Sequence, residues 1–316
     1  MRSIGRIWGE IRLGLLFEDL VETASFILHH PLNDTLGGKA GTFWRYLCWQ
    51  IRGRLHPEPL RIDFVGQTGL LVKRGVAQRR ICYMPLHEFE EMAFVLHALR
   101  EGDLFLDIGA NIGAYTVLAG SVAGATAIAC EPIPGNYALL RQNIRLNKPR
   151  NGVEALNLGV AGTERSLTFT SSFGPKDHVV TDLDACERDK TLELPARTLD
   201  SIVGERNPTM LKVDVEGYET EVLNGGEKVF ENQSLRAIII ELKGHGARYG
   251  YDESILMERI TGFGFRSFCY SPLDRRIFSS DTASSRSDNL IYLRNPDWAR
   301  DRVADHPGFL YRNRTL

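Results

Sequence analysis

Apolar and polar positions follow a regular alternation between residues 103 and 294. Five short apolar runs occur there, and segments with helical periodicity, such as NYALLRQNIRLN and ETEVLNGGEKVF, separate several of them. The runs are DLFLDIG, ATAIACEP, EALNLGV, MLKVDVEG and AIIIELKG. Buried strands that alternate with helices are typical of a parallel sheet covered on both faces. We therefore predict a doubly wound α/β domain.

The pattern changes at both ends of this region. Three later runs, FRSFCY, RRIFSS and DNLIYLR, lack crossover helices, so we expect them to pair antiparallel at one edge of the sheet. Residues 1–58 look helical, and LRIDFVG, GLLVK and RRICYM predict a small antiparallel meander after them. The expected organisation is an N-terminal helical and β-meander extension over residues 1–85, for substrate or oligomer contacts, and a main domain over residues 86–316.

A glycine turn follows the first apolar run, in the segment LDIGANIGAYT. Ligands of open parallel sheets bind at the carboxyl ends of the strands, and a helix N-terminus there is expected to offer N–H groups to an anion. The turn lacks the middle glycine of G-x-G-x-x-G, which disfavours a pyrophosphate and hence a nicotinamide dehydrogenase. Asp107, two residues before Gly109, would repel phosphate but could accept hydrogen bonds from an ammonium group.

Glu131 ends the second run, 22 residues after Gly109, about where an acid binds ribose hydroxyls in dinucleotide folds. S-adenosylmethionine is a ligand that carries an amine, a carboxylate and a ribose, so it fits these features. The alternative is that Gly109 and Gly113 serve only close packing of the helix on the strand.

Four motifs in this order resemble the FkbM family of S-adenosylmethionine-dependent methyltransferases, over roughly residues 88–242. They are LDIGANIGAYT, ACEPIPGNYALLRQNIRLN, ARTLDSI and LKVDVEGYETEVLNGG, and AIIIEL follows them. The resemblance implies a Rossmann-like class I methyltransferase fold with a seven-stranded sheet and an antiparallel edge strand. It also implies methyl transfer, usually to a hydroxyl of a sugar or natural product. The cofactor contacts that it implies are Asp107, Gly109, Asn111, Gly113 and Glu131.

Candidate catalytic residues follow the later strands. Asp214 and Glu216 belong to the family's D-V-E-G segment; we expect Asp214 to face the ligands and Glu216 to orient the loop or substrate, unless the pair only caps the next helix. His178 and His245, in polar loops, are candidates for a general base because histidine titrates near neutral pH. The T-L-D signature predicts Asp200 as a helix N-cap.

Two further positions could line the cofactor site: Glu88, just before the helix that leads into the first strand, and Tyr115, on the turn after the glycines. Tyr115 could instead serve packing alone. Nothing in the spacing requires a metal, but Asp214 and Glu241 would be the ligands of a divalent ion if one bound.

Composition restricts the partners. A net charge of −2 with 25% charged residues gives no footprint of a nucleic-acid binder, although an arginine-bearing N-terminal region leaves an RNA 2′-O-methyltransferase as an alternative. A non-catalytic S-adenosylmethionine-binding module is a third possibility. Five scattered cysteines favour a reduced, cytoplasmic protein without a zinc site.

The apolar residues of the first 20 positions are interrupted by charges, which predicts an amphipathic helix and no transmembrane segment. This helix could pack on its own domain or form a homodimer. The acceptor is expected to be a small molecule or a glycan, with no nucleic-acid partner.

Overall fold

The computed structural model describes residues 20–55, 59–73, 79–171, 177–181, 191–280, 289–311 and 314–316. These residues form two compact units. The first contains residues 20–55 and 79–87, and the second contains residues 59–73 and those from 88 onward. The amphipathic helix expected over the first 20 positions lies almost wholly outside the described residues. The functional division at residue 85 stays a prediction.

The first unit is helical. Residues 20–29 are helical, a 3-10 turn covers Pro31–Asn33, helix α1 covers Leu36–Leu55, and a second 3-10 turn covers Arg79–Cys82. The buried Asn33 joins two of these parts, because its amide donates to the Ile27 carbonyl at 2.9 Å and accepts from the Thr42 hydroxyl at 2.9 Å.

The prediction of a strand at RRICYM is wrong. The N–H groups of Tyr83 and Met84 bond back to the Arg80 carbonyl, which closes helical turns and leaves no extended segment. The meander is therefore a two-stranded hairpin, and the hairpin belongs to the second unit.

The second unit alternates strands and helices as predicted. Its first half contains β1 (Leu60–Asp63), β2 (Gly69–Val72), α2 (Phe89–Ala98), β3 (Leu104–Ile108), α3 (Ala114–Val117, continued by a π turn over Leu118–Val122), β4 (Thr126–Cys130), α4 (Pro134–Asn147), β5 (Val153–Leu156), β6 (Gly159–Val160), β7 (Arg165–Thr170) and β8 (Thr191–Arg197).

Its second half contains α5 (Leu199–Val203), β9 (Met210–Val213), α6 (Glu219–Asn224), α7 (Glu227–Glu231), β10 (Ala237–Glu241), a 3-10 turn (His245–Tyr249), α8 (Glu253–Gly262), β11 (Arg266–Ser271), β12 (Arg276–Ser279), β13 (Asn289–Leu293), α9 (Pro296–Ala304), β14 (Leu310–Tyr311) and β15 (Arg314–Thr315). Within the residues that the structure describes, no helix combines the length and apolar character needed to cross a membrane.

The main sheet has the strand order β12-β11-β13-β10-β9-β3-β4-β5, and it is parallel from β10 to β5. The predicted α/β class and the mostly parallel, Rossmann-like sheet are confirmed. The late strands pair antiparallel at one edge of the sheet as expected, with β13 between β10 and β11 and with β12 outermost. One detail differs: the sheet has eight strands instead of seven. The hairpin β11–β12 supplies the extra strand, so half-exposed β12 forms the edge while mostly buried β13 is an interior strand.

Both faces of the sheet are covered. Successive side chains along a strand point to opposite faces, so each strand contributes side chains to both. Leu106 and Ile108 join a core formed with side chains of α5, α6, α7 and α8. On the other face, Ala129 packs against Leu140 of α4. Asp107 and Lys212, which lie opposite each other on the paired strands β3 and β9, share this second face by alternation.

A second, three-stranded sheet with the order β6-β8-β7 was not anticipated. The run EALNLGV was expected to be one strand, but it breaks after Leu156, so β5 joins the main sheet and β6 joins the small one. His178 lies beside β7, where its N–H donates to the Thr170 hydroxyl at 3.0 Å.

The T-L-D signature begins helix α5, but not in the manner expected. Thr198 is the N-cap, since its hydroxyl accepts from the Ser201 N–H at 3.2 Å. Asp200 instead accepts from the N–H groups of Lys228 and Val229 at 3.2 and 3.0 Å. The carboxylate therefore caps the neighbouring helix α7, so its role is structural.

Candidate active site

The N–H groups of the glycine turn all have acceptors within the protein. Those of Gly109 and Ala110 donate to the Cys130 carbonyl, and the Asn111 N–H donates to Glu131 Oε2 at 2.9 Å. The Ile112 N–H donates to Asn111 Oδ1 at 2.8 Å, and the Gly113 N–H donates to the Ala110 carbonyl. These five amides are not free to bind a phosphate, whereas binding of an anion by the helix N-terminus that follows Gly113 stays a prediction.

Gly109 and Gly113 are required by the protein's own packing. Both have left-handed backbones, with φ of 84° and 88°. A Cβ on Gly109 would lie 1.8 Å from the Asp214 carbonyl oxygen, and a Cβ on Gly113 would lie 2.5 Å from Leu140 Cδ1. The missing side chain at 109 therefore lets the turn after β3 approach the chain leaving β9. The packing alternative thus has direct support, whereas clearance for a ligand stays a prediction.

Asp107 is almost completely buried, with 1% of its surface exposed. Its carboxylate accepts from the Thr116 hydroxyl at 2.5 Å, which connects the end of β3 to helix α3. Burial raises the pKa of Asp107, and the nearby Lys212 ammonium opposes this effect. Its contacts fix the shape of the turn, and direct contact with a ligand amine stays a prediction.

Lys212 is a buried cation that the sequence reasoning missed. Its Nζ lies 2.7 Å from Asp214 Oδ2 and 4.7 Å from the centre of the Tyr115 ring. The Tyr115 hydroxyl in turn donates to Glu88 Oε2 at 2.7 Å. Burial works to lower the pKa of Lys212, but the carboxylates of Asp214, Glu88 and Asp107 outweigh it and raise the pKa. The signal was available: a lysine between Leu211 and Val213, in a strand of buried residues, breaks the apolar pattern.

Asp214 directly follows β9, Glu241 ends the neighbouring strand β10, and oxygen atoms of the two carboxyl groups lie within 4.8 Å of each other. Burial opposes ionisation of Asp214, but the Lys212 ammonium outweighs it and lowers the pKa. Burial and the Asp214 charge raise the pKa of Glu241 to about 8, although Lys243 Nζ lies 2.5 Å from Glu241 Oε1. Ionisation is therefore favoured at Asp214 over Glu241.

Glu216 and His245 form a second pair. His245 Nδ1 lies 3.2 Å from Glu216 Oε2, and the imidazole remains about one third exposed. Glu216 has a left-handed backbone with φ of 53°, and Gly217 follows with φ of 104°. A Cβ on Gly217 would lie 2.6 Å from the His245 carbonyl oxygen, so the glycine of the D-V-E-G segment permits this pairing.

The carboxyl groups of Asp214 and Glu216, both from the D-V-E-G segment, lie close together. Oxygen atoms of Asp214, Glu216 and Glu241 lie within 4.8 Å of one another. The strand ends at Val213, and the left-handed turn at 216 brings the second side chain back toward the first. The set could bind a divalent ion by its chemistry, but Lys212 and Lys243 already neutralise two of the three groups. The arrangement therefore does not call for a metal.

Glu131 ends β4 as predicted, and it is buried. In addition to the Asn111 N–H, it accepts from the Ile133 N–H at 3.0 Å and the Asn136 amide at 3.2 Å. Burial raises its pKa to about 7, and these hydrogen bonds oppose the shift. A carboxylate has about four acceptor positions, so the capacity that these donors leave would suffice for one ribose hydroxyl.

Glu219 is a second buried acid that the sequence reasoning did not single out. It accepts from the N–H groups of Val215 and Gly217 at 3.3 and 3.0 Å and so holds the turn after β9 in shape. Burial raises its pKa to about 7.

His178 is buried beside the small sheet, and the carbonyl of the adjacent Val179 accepts from the Tyr249 hydroxyl at 2.8 Å. A catalytic role for His178 stays a prediction.

Comparison with known proteins identifies a family model that matches this chain. The family model of the methyltransferase FkbM domain matches residues 107–267. The hexuronic acid methyltransferase AglP of Haloferax volcanii is 27% identical over 49% of this chain, which spans 62% of that relative's length. The 31-O-demethyl-FK506 methyltransferase FkbM of Streptomyces tacrolimicus is 26% identical over 63% of this chain and 86% of its own.

Among solved structures, the methyltransferase FkbM from Methylobacillus flagellatus KT aligns with 70% of this chain and 56% of its own. The identity is 15% and the TM-score is 0.41.

Gly109→Ala is expected to destabilise the protein far more than Gly124→Ala. Both positions have left-handed backbones, which costs an alanine about 1 to 2 kcal/mol. A Cβ at 124 meets nothing within 4 Å, whereas one at 109 collides with the Asp214 carbonyl. We expect a loss above about 4 kcal/mol at 109, measured by urea unfolding. Equal losses in the two variants would show that the turn and the chain after β9 do not approach each other closely.

Glu219→Gln is expected to flatten the pH dependence of stability. The pKa of Glu219 rises from 4.5 to about 7 on folding, so its protonated form favours the folded state below pH 4.5. That contribution is lost as the pH rises through 7, and glutamine keeps the Oε1 acceptor without the ionisation. Unfolding free energies between pH 4.5 and 8 should show the wild type losing about 1 to 3 kcal/mol relative to the variant. The exposed Glu227→Gln is the matched control; the same slope in wild type and Glu219→Gln would contradict the argument.

Proposed function

This chain belongs to the FkbM methyltransferase domain family, and from that premise we propose that it transfers a methyl group from S-adenosylmethionine to a hydroxyl oxygen of a sugar, glycan or natural product. The observation that carries the proposal is the family match together with the acidic strand ends that lie within it. Two relatives are named for a hexuronic acid and for 31-O-demethyl-FK506, which supports O-methylation of a hydroxyl-bearing acceptor.

The charges of the site suit S-adenosylmethionine better than a dinucleotide. The glycine turn has no free amide for a pyrophosphate, as described above. Beyond it lie carboxyl groups whose oxygen atoms can accept hydrogen bonds from a ligand ammonium, and the ionised Asp214 would repel a pyrophosphate. These carboxyl groups are those of Glu88, Asp107, Asp214, Glu216 and Glu241. We propose that Glu131 and Asn111 contribute to the ribose side, and that Glu88, Tyr115 and Asp214 lie on the methionine side.

When bound, S-adenosylmethionine supplies an electrophilic methyl group. The protein's tasks are then to align the acceptor oxygen and to remove its proton. Asp214 is too weak a base for this, because Lys212 holds its pKa low. Glu241 is less available, because its Oε1 is already paired with Lys243 Nζ. His245 remains: when its Nδ1–H donates to Glu216, the Nε2 of the partly exposed imidazole can accept a proton.

We therefore assign His245 as the general base and Glu216 as its positioning residue. This arrangement follows the logic of other base and orienting-acid pairs, in which a carboxylate fixes the imidazole tautomer. Asp214, anchored by Lys212, is left to orient the ligands.

Binding and turnover together test the function. Calorimetry with S-adenosylmethionine and with its demethylated product should show saturable binding to the full chain. Methyl-labelled cofactor incubated with a hexuronic-acid glycan and with 31-O-demethyl-FK506 should yield a labelled O-methyl product with one of them. Absence of binding to either cofactor form would refute the assignment, and binding without transfer across such acceptors would favour a non-catalytic module.

His245→Ala is expected to reduce kcat by about 10²- to 10⁴-fold while cofactor binding stays unchanged, because a general base contributes that much to a rate. Added imidazole should restore part of the activity, which a merely structural defect would not allow. His29→Ala, at an exposed histidine of the first unit, is the matched control. Activity within about threefold of wild type in His245→Ala would show that another group takes the proton.

A further inference from the structure

Exposed apolar side chains are concentrated in one short part of the chain. Of the ten exposed large hydrophobic residues among those that the structure describes, eight lie between residues 20 and 55. They are Leu20, Val21, Leu28, Phe43, Trp44, Leu47, Ile51 and Leu55, and the other two are Ile255 and Leu273. Single exposed apolar residues need no explanation, but a concentration of this kind marks an interaction surface.

Five of the eight form one face of helix α1. Phe43, Trp44, Leu47, Ile51 and Leu55 recur at spacings of one to four residues, as a helical stripe requires. Trp44 is 66% exposed and Leu55 is 73% exposed. We call these five residues the α1 outer face.

The opposite side of the helix accounts for its attachment to the first unit. Thr42 and Trp49 are buried, and the Arg45 guanidinium donates to the Tyr83 carbonyl at 3.1 Å. The Tyr46 and Tyr83 rings meet edge to face, with 5.5 Å between their centres. The helix is thus held from one side, and the apolar outer face is an addition to its packing, not part of it.

The charge of α1 indicates what this face contacts. The segment LGGKAGTFWRYLCWQIRGRL contains Lys39, Arg45, Arg52 and Arg54 and no acidic residue. By helical geometry, Lys39 and Arg52 flank the outer face on its two sides. An apolar stripe bordered by cations is the pattern of helices that lie in the interface of an anionic membrane, with aromatic and aliphatic side chains among the acyl chains.

We propose that the α1 outer face binds the surface of an anionic lipid bilayer. A second copy of the chain is a poorer occupant, because pairing two such helices would bring like charges together without any acid from α1 to offset them. An acidic protein would match the cations, but it would not call for an exposed tryptophan and four other large apolar side chains on 20 residues. The proposal does not depend on the proposed methyl transfer.

Vesicle cosedimentation of the full-length protein tests the proposal. Vesicles of phosphatidylglycerol mixed with phosphatidylcholine should bind the wild type, and vesicles of phosphatidylcholine alone should bind it far less. Leu47→Glu combined with Ile51→Glu should weaken binding by at least about tenfold. Ile255→Glu, at an apolar residue of similar exposure on α8, is the matched control and should bind as wild type does. Arg52→Ala should weaken binding about fivefold, and added salt should weaken it further.

Three results would overturn the proposal. One is the failure of wild type to bind anionic vesicles, and another is equal binding to both kinds of vesicle. The third concerns the Leu47→Glu and Ile51→Glu variant in solution: a lower Tm than wild type would mean that the folded chain covers the face, and loss of a concentration-dependent dimer would mean that a second copy does. Unchanged Tm and sedimentation with lost vesicle binding support the lipid surface.

Discussion

The buried ammonium of Lys212 is the charge around which the candidate site is organised. Burying an isolated ammonium costs several kcal/mol, so it persists only where carboxylates and an aromatic face surround it. Asp214 supplies the direct ion pair, and Tyr115 supplies the ring. Because Tyr115 also donates to Glu88, one cation joins the residue that precedes α2, helix α3 and strand β9. Removing any one of these side chains would leave the remaining ones beside a buried charge that is no longer compensated.

The same cation sets the protonation of the strand ends. By keeping Asp214 ionised, Lys212 makes a second negative charge on Glu241 unfavourable, and Glu241 retains its proton to a pKa of about 8. Lys243 moderates this effect from the solvent side of Glu241. A site whose carboxyl groups are already paired with lysines in this way has little to gain from a divalent ion.

Much of the fold was predictable because its signals are local. Each parallel strand is a short apolar run, and Pro134 or a capping side chain such as Asp252 marks where a helix begins. What failed depended on partners distant in sequence. The small sheet needs β6 to pair with β8, some 37 residues later. Asp200 shows the same limit, since it caps a helix that starts 27 residues downstream. The 3-10 turn at Arg79–Cys82 was missed for a different reason, because its hydrogen bonds are local but its composition is that of a strand.

For the site, motif positions were informative but their roles were not. The residues of the glycine turn and the D-V-E-G segment all lie at the strand ends, where the sequence placed them. Yet Gly109 makes room for the Asp214 carbonyl, and Gly217 makes room for the backbone of His245. Both glycines thus act on the same stretch: one brings the turn after β3 against residue 214, and the other brings His245 against residue 216. The signature glycines therefore lie where loops contact each other. The pairing of Glu216 with His245 follows from such a contact, and no spacing in the sequence reveals it.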